Sequence, residues 1–290
     1  MRVFYWIIKM ILYKYVSFEA ALTILKTRSL GFSHLEDFND PFECTGLGLY
    51  DLEVPLCTAI SAFRNRFSRN YIILSLTRTA LNPLMWSHYA DSYKGVVIGI
   101  DVKKAGFEDG NKFIIPSTKA EIRYLKTAPE KINKGTIECL MSVGNSNILN
   151  WENEESLLKH ALLYKMQEWV YEEEVRVVKN ISSAKFSYHY SSKTEAIIDN
   201  QLWKRVQLPT RPVYTLEIPQ EAFMEVYIGK NTYIDQRRKY QMSGEKVEDH
   251  IIPKFEELRK ICSDNNINFY RVDVDIEQWK LKSSLINKVT

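Results

Sequence analysis

The sequence has few of the features that quickly identify a function class. Its charge is nearly balanced, with 39 Lys and Arg against 36 Asp and Glu, and a net charge of +3 is too small to indicate a protein that coats nucleic acid. The four cysteines are scattered without a C-x-x-C pair, which excludes the common zinc and redox spacings and favours free thiols in a reducing compartment: Cys44, Cys57, Cys139 and Cys262.

Several motifs with a known mechanism are also absent. The sequence has no Walker A loop, no G-x-G-x-x-G after a strand, no G-x-S-x-G elbow and no H-E-x-x-H. These absences argue against P-loop phosphoryl transfer, Rossmann dehydrogenases, serine hydrolases and zinc proteases.

Long apolar runs and linkers are missing as well. The N-terminal stretch through Tyr15 is interrupted by Lys9 and Lys14, no small-residue cleavage site follows it, and it is shorter than the roughly 20 residues that span a bilayer. No segment rich in Pro, Gly or Ser divides the sequence. We therefore expect a cytoplasmic protein without membrane contact, formed by a single domain over 1–290, with a core at 11–230 and a C-terminal helix–strand extension at 231–290.

Aromatic residues are plentiful, with 17 Tyr and 6 Trp, and short apolar strands alternate with helical periods. This pattern predicts a mixed α+β fold. Strands are expected at 11–16, 30–33, 71–77, 94–101, 120–125, 172–178, 213–218, 225–229 and 268–274, and helices at 18–25, 52–67, 82–90, 154–167 and 245–262. Residues 185–210 are polar and poorly periodic.

The segment from Tyr171 to Arg176 concentrates charge. On a strand, Glu172 and Glu174 would project from one face about 7 Å apart, with Arg176 next in line. Two close carboxylates repel, so one tends to have a raised pKa while Arg176 can hold the other ionised. Such a pair suits the stabilisation of a cationic sugar transition state, but a solvated edge strand with a salt bridge explains the same pattern.

Three other segments could line a site or serve only the fold. The turn at 39–43 is predicted either to cap its own backbone, with Phe42 packed inward, or to line a site.

On the helix at 82–90, Trp86 and Tyr89 share a face, and His88 is either a core histidine or a base. Ser75 and Thr77 share one face of a strand, where hydroxyls commonly bond across strands. No second His or Cys stands at metal-ligand spacing, so no metal is expected.

Four segments in order resemble a bacterial family catalogued as domain of unknown function 2971. They are Leu12–Tyr15, Phe38–Glu43, Met85–Ala90 with Gly95, and Lys165–Arg176, and the resemblance covers roughly residues 11–230. Their layout is similar to that of the ADP-ribosyltransferase superfamily, which binds NAD in a cleft between two small sheets. The resemblance implies an α+β fold of mixed, mainly antiparallel split sheets flanked by helices.

The resemblance also implies roles for individual residues. Glu174 would stabilise positive charge on the ribose, Glu172 would orient the acceptor as a base, and Ser75 would position the ribose or brace Glu174. NAD is expected as a substrate held by basic, hydroxyl and aromatic side chains, with an acidic turn lining the site: Lys14, Tyr15, Thr77, Trp86, His88, Tyr89 and Arg176, with Asn39, Asp40, Phe42 and Glu43.

The leading hypothesis is an NAD-dependent ADP-ribosyltransferase or NAD hydrolase, acting as a bacterial toxin or phage-defence effector. Its acceptor would be a protein or a nucleic acid, and an antitoxin or immunity protein would be a partner. One alternative is a metal-dependent nuclease in which Asp40, Glu43, Glu172 and Glu174 bind Mg²⁺. The other is a non-catalytic module that holds a nucleotide or a peptide in an aromatic groove.

Overall fold

The protein has a mixed α/β structure in which antiparallel strand pairs predominate. The computed structural model describes residues 10–40, 42, 70–127, 158, 161–181, 193–208, 212–242 and 252–287. The strands are β1 Ile11–Val16, β2 Ser29–Phe32, β3 Tyr71–Thr77, β4 Val96–Asp101, β5 Arg123–Leu125, β6 Tyr164–Met166, β7 Glu174–Asn180, β8 Glu195–Ile198, β9 Gln201–Gln207, β10 Pro212–Glu217, β11 Phe223–Ile228, β12 Asn268–Asp275 and β13 Lys280–Asn287. The α-helices are α1 Phe18–Thr27, α2 Pro83–Tyr89, α3 Thr232–Met242 and α4 Pro253–Asp264.

The chain divides into two compact units, each formed by separate segments. The first unit consists of Met1–Ser29, Leu76–Gly106 and Ile218–Thr290, and the second of Leu30–Ser75 and Phe107–Glu217. The predicted single domain stays a prediction, and each unit is described by itself.

The first unit is built on a sheet with the strand order β13-β12-β11-β4-β1. Strand β4 pairs antiparallel with both β1 and β11, and all its residues are buried, which accounts for its continuous apolar run. Strands β11 and β12 are parallel, with α3 and α4 in the connection between them. Helix α1 begins after Ser17, which caps it: its hydroxyl accepts a hydrogen bond from the Ala20 amide.

The second unit contains an antiparallel sheet with the order β2-β10-β9-β8 and a short parallel pair, β5 and β6. Strand β3, most of which belongs to this unit, is the neighbour of β7. Phe32 packs at the centre of its core, stacked with Phe113 and edge-on to Trp203 at ring-centroid distances of 6.3 and 4.9 Å. Some of the many aromatic side chains of the sequence thus fill this core.

Several segments differ from what the sequence predicted. Residues 164–166 form β6 rather than part of a helix, because this short segment pairs with β5. The helix expected at 245–262 is described as α4 from Pro253 onwards, its expected first residues 245–251 lie outside the described ranges, and a separate helix covers 232–242. The strand expected at 120–125 is confined to Arg123–Leu125. The weakly periodic stretch at 185–210 contains β8 and β9, which pair antiparallel and bury only Ile198 and Trp203 of their residues.

Some expectations concern residues outside the described ranges. The helix expected at 52–67 is among them, as are Glu43, Cys44, Cys57 and Cys139. Cys262 is described and is a free, buried thiol, and burial raises its pKa to about 12. Within the described residues, none of the helices combines the length and the apolar character that a bilayer crossing requires.

Gly229, just after β11, leads to the first testable prediction. A Cβ at this position would lie 2.1 Å from the Tyr93 carbonyl oxygen and 3.0 Å from Cζ3 of the buried Trp86. Since the nearer obstacle is backbone, we expect Gly229→Ala to destabilise the protein by about 1–3 kcal/mol in urea unfolding. Gly110→Ala is the matched control, because nothing lies within 4 Å of its Cβ position. Equal unfolding midpoints for the two variants would contradict the packing argument.

Candidate functional site

Four charged side chains of the second unit form one buried group, here called the charge cluster: Lys165, Glu172, Glu174 and Arg176. The Lys165 ammonium donates to Glu172 Oε2 at 2.6 Å and to Glu174 Oε2 at 3.2 Å. None of the four residues is more than 8% exposed. Two anions therefore face two cations in a place where an unpaired charge would be costly.

Arg176 clamps Glu174 from the same strand. Its Nε donates to Glu174 Oε1 at 2.9 Å and a terminal nitrogen to Oε2 at 3.0 Å, which is a bidentate pair. The other terminal nitrogen donates to the Leu162 carbonyl oxygen at 2.7 Å, and the Phe38 ring lies 4.8 Å from the guanidinium carbon. This is the pairing expected from the two-residue spacing. Contact of Arg176 with a cofactor stays a prediction.

The local backbone brings Glu172 and Glu174 together in an unexpected way. Glu172 ends a short 3₁₀ helix, Gln167–Glu172, and Glu174 begins β7. Glu173 between them has a φ of 43° and is exposed. The prediction that both glutamates lie on one strand is therefore wrong. A left-handed residue, which is uncommon for a glutamate, turns both neighbouring carboxylates towards Lys165 instead.

The surroundings of Glu174 determine its protonation state. Burial raises its pKa, but the charges and hydrogen bonds of Arg176, Lys165 and Ser75 outweigh burial and lower the pKa to about 2. Ser75 lies on β3, the neighbour of β7, and its hydrogen bond to Glu174 matches the bracing contact, one of the two roles that the family resemblance implied. Lys165 is also held in its charged form, because the two glutamates outweigh its burial and raise its pKa. Glu174 is thus a permanent anion at physiological pH.

Half-buried aromatic side chains adjoin the charge cluster. The Lys165 ammonium lies 5.0 Å from the Trp169 ring centroid, and Trp169 is 6.1 Å from Tyr171. The Tyr124 hydroxyl accepts a hydrogen bond from the Glu174 amide at 2.8 Å. With Phe38 over Arg176, these rings form an aromatic rim of partly exposed side chains.

Sequence reasoning missed most of the side chains that surround the two glutamates. Lys165, Trp169 and Phe38 lay inside the segments that carried the family resemblance, but none was assigned a role, and Tyr124 lay outside them. A lysine seven residues before Glu172 carries no periodic signal that links it to the glutamates. The link depends on the pairing of β6 with β5, which is a contact distant in sequence.

The predicted ligand-stacking rings of the first unit serve its fold. Trp86 is fully buried, its Nε1 donates to the Ala80 carbonyl oxygen at 2.8 Å, and its ring stacks with Tyr93. The buried Tyr15 donates to the Thr79 carbonyl oxygen and packs edge-on against Trp86. Stacking of Trp86 on a nucleotide would require the core of this unit to open.

The other residues of the first unit that were predicted to bind NAD range from exposed to buried. His88 is exposed, so its interpretation as a core histidine is wrong. Tyr89 and Lys14 are half-buried, and Thr77 is buried at the end of β3 with its hydroxyl accepting from the Thr79 amide. These residues belong to the first unit and the charge cluster to the second. Their shared role in NAD binding stays a prediction.

The turn at 39–42 has the expected local geometry with one difference. Asp40 is buried and its Oδ1 accepts from the Phe42 amide at 2.9 Å, as predicted for a self-capping turn. Phe42, however, is 49% exposed, so the prediction that it packs inward is wrong. The ring that faces the interior is Phe38, over the Arg176 guanidinium. Asn39 is exposed beside it.

A metal centre gains no support from the described residues. Within them, no three His, Cys, Asp or Glu side chains are grouped so as to hold a metal ion. Around Glu172 and Glu174, the ammonium and guanidinium groups occupy the positions that a divalent cation would need.

Comparison with known proteins identifies one similarity. Residues 85–177 match the family described as "Protein of unknown function (DUF2971)". The match runs from α2 into β7 and includes the whole charge cluster, so it supports the family resemblance over the part of the chain that carries the candidate site. No curated protein and no solved structure matches the chain.

Proposed function

We propose that this chain is an NAD-cleaving enzyme, an ADP-ribosyltransferase or NAD hydrolase, whose reacting carboxylates are Glu172 and Glu174. The observation that supports this function best is the hydrogen bond from Ser75 on β3 to Glu174 on the neighbouring β7. The resemblance to ADP-ribosyltransferases implies a serine on a middle strand beside a glutamate on a later one.

The charge state of Glu174 fits the chemistry. When the bond between nicotinamide and ribose breaks, its electron pair leaves with nicotinamide and positive charge develops on the ribose. A carboxylate already ionised and fixed in place stabilises that charge without reorganising. The bidentate clamp of Arg176 and the ammonium of Lys165 keep Glu174 in this state, so its role is electrostatic and not that of a proton donor.

Glu172 is the better candidate for handling a proton. Water or an acceptor hydroxyl must lose its proton as its oxygen bonds to the ribose carbon, and a carboxylate beside the reacting centre can accept it. Glu172 shares Lys165 with Glu174, which places the two carboxylates on either side of one ammonium. We propose that the half-buried Trp169 and Tyr171 stack on the nicotinamide or adenine ring.

The biological setting remains part of the proposal. We propose that the protein acts in the bacterial cytoplasm as a toxin or phage-defence effector, with a macromolecular acceptor and an antitoxin or immunity partner.

The test is nicotinamide release from NAD by the purified full-length protein, followed by chromatography. We expect turnover by the wild type and a drop of about 100-fold in Glu172→Gln, which keeps the shape of the side chain but cannot take a proton. Glu195→Gln on β8 is the matched control, because this glutamate is exposed and paired only loosely with Lys204. Its rate should equal that of the wild type.

Two results would overturn the proposal. Absence of nicotinamide release, with and without a cell lysate as a source of acceptor, excludes NAD cleavage. Thermal stabilisation by NAD or ADP-ribose without any turnover would instead identify a binding module.

A further inference from the structure

A second group of side chains, in the first unit, surrounds one carboxylate with tyrosines. This tyrosine cluster consists of Tyr13 on β1, Glu225 and Tyr227 on β11, and Tyr270 on β12. The hydroxyls of Tyr13 and Tyr227 donate to Glu225 Oε2 at 3.1 and 3.0 Å. Strands β1 and β11, which flank β4, thus direct two phenolic hydroxyls at a single carboxylate, and Tyr270 joins the cluster by stacking on Tyr227.

Strand register explains why these side chains meet. Tyr227 and Tyr270 are directly paired across the parallel strands, so their rings stack at 4.7 Å with an angle of 15°. Tyr13 and Glu225 both pair with Gly99 of β4 from opposite sides. A Cβ at Gly99 would lie 3.0 Å from Glu225 Cβ and 3.1 Å from Tyr13 Cε1, so the glycine provides the room in which Tyr13 and Glu225 meet.

The carboxylate of the cluster belongs to Glu225, and among the described residues the groups that hydrogen-bond to it are phenols. In the part of the chain that the structure describes, Glu225 forms no ion pair with a lysine, arginine or histidine. Burial and the Glu225 charge raise the pKa of Tyr13 to about 12, so its hydroxyl keeps its proton. Tyr13, Glu225 and Tyr270 are partly exposed, whereas Tyr227 is buried between the two other rings.

We propose that the tyrosine cluster binds a small organic cation with a methylated ammonium group. The negative face of an aromatic ring attracts cations through its quadrupole, whereas the edge does not, and this attraction is strongest for cations that lose little hydration. One Glu225 oxygen already accepts two phenolic hydrogens, which leaves the site poorly suited to a primary ammonium that needs several acceptors. A methylated ammonium needs no acceptor, only negative potential and aromatic surface. This site is separate from the proposed NAD chemistry of the second unit.

The first experiment compares choline with its neutral isostere, in which carbon replaces nitrogen. Each is titrated into the full-length protein at constant ionic strength, and binding is followed by calorimetry and by the tyrosine ring signals in NMR spectra. We expect choline to bind at least about fivefold more tightly than the isostere, because only choline gains cation–π attraction. Equal affinity, or no binding of either compound, would overturn the proposal.

Variants separate a binding role from a structural one. We expect Glu225→Gln and Tyr270→Leu to weaken choline binding about fivefold or more, whereas Tyr270→Phe, which keeps the ring, binds like the wild type. Glu221→Gln is the matched control, because Glu221 is an exposed glutamate just before the same strand. If Glu225→Gln folds and binds choline unchanged, the site is not the tyrosine cluster and the proposal fails.

A further arm distinguishes the source of the ammonium group. Phosphatidylcholine vesicles present the same group on a surface, and we expect that the protein does not co-sediment with them. Binding to vesicles without binding to free choline would contradict the assignment to a small soluble ligand.

Discussion

Replacing Arg176 with methionine is expected to destabilise the folded protein by about 3–5 kcal/mol at neutral pH. The substitution removes both bonds of the bidentate clamp on Glu174 and the bond to the Leu162 carbonyl oxygen. Arg176 is fully buried, so water cannot replace the lost donors. Glu174 would keep only Lys165 and Ser75 against the cost of burying its charge. Urea unfolding followed by tryptophan fluorescence measures the loss.

The chain provides a matched control for this variant. Arg271 pairs with Asp273 two residues along β12, the same spacing as Arg176 and Glu174, but its side chain is 55% exposed. Solvent screens such a pair, and we expect Arg271→Met to cost less than about 1 kcal/mol. If both variants lose the same small amount, burial does not make the Arg176 clamp important, and the description of the charge cluster as a stabilising element is wrong.

The sequence predicted elements well where a local signal decides the structure. Strand β4 and helix α1 lie within two residues of their expected bounds, because the apolar run of β4 and the serine cap of α1 are signals carried by neighbouring residues. Helix α2, expected at 82–90, likewise spans Pro83–Tyr89. Prediction was weaker for β6, because its pairing partner β5 is distant in sequence, and for β8, because its burial pattern is weak.

The candidate site was predicted in part for the same reason. Glu172, Glu174 and Arg176 stand together in sequence, and their association could be inferred from spacing. The left-handed turn at Glu173 could not, because glutamate seldom adopts it and no glycine or asparagine marks the position. Lys165 is the clearest omission. It joins the two carboxylates only through the fold, and no short-range pattern indicates that it lies between them.

Replacing Lys165 with methionine is expected to cost about 3–5 kcal/mol at pH 7 and clearly less near pH 3. In the wild type, the low pKa of Glu174 contributes stability that is fully present above the ordinary carboxyl pKa of 4.5 and is lost as pH falls towards 2. The ammonium of Lys165 supplies part of this stabilisation. Without the ammonium, Glu174 of the variant gains a proton more readily as pH falls, and a neutral carboxyl needs no counter-ion, so the difference between wild type and variant should shrink in acid.

Unfolding midpoints in urea at the two pH values measure this effect, and Lys204→Met on β9 is the control. Lys204 pairs with Glu195 at 3.6 Å, but both side chains are more than half exposed. We expect its loss to cost less than about 1 kcal/mol at both pH values, since an exposed pair is screened by water. A Lys165→Met penalty that is the same near pH 3 as at pH 7 would show that the side chain acts through packing alone. The charge cluster would then not hold Glu174 ionised through Lys165, and the electrostatic role proposed for Glu174 would have to rest on Arg176.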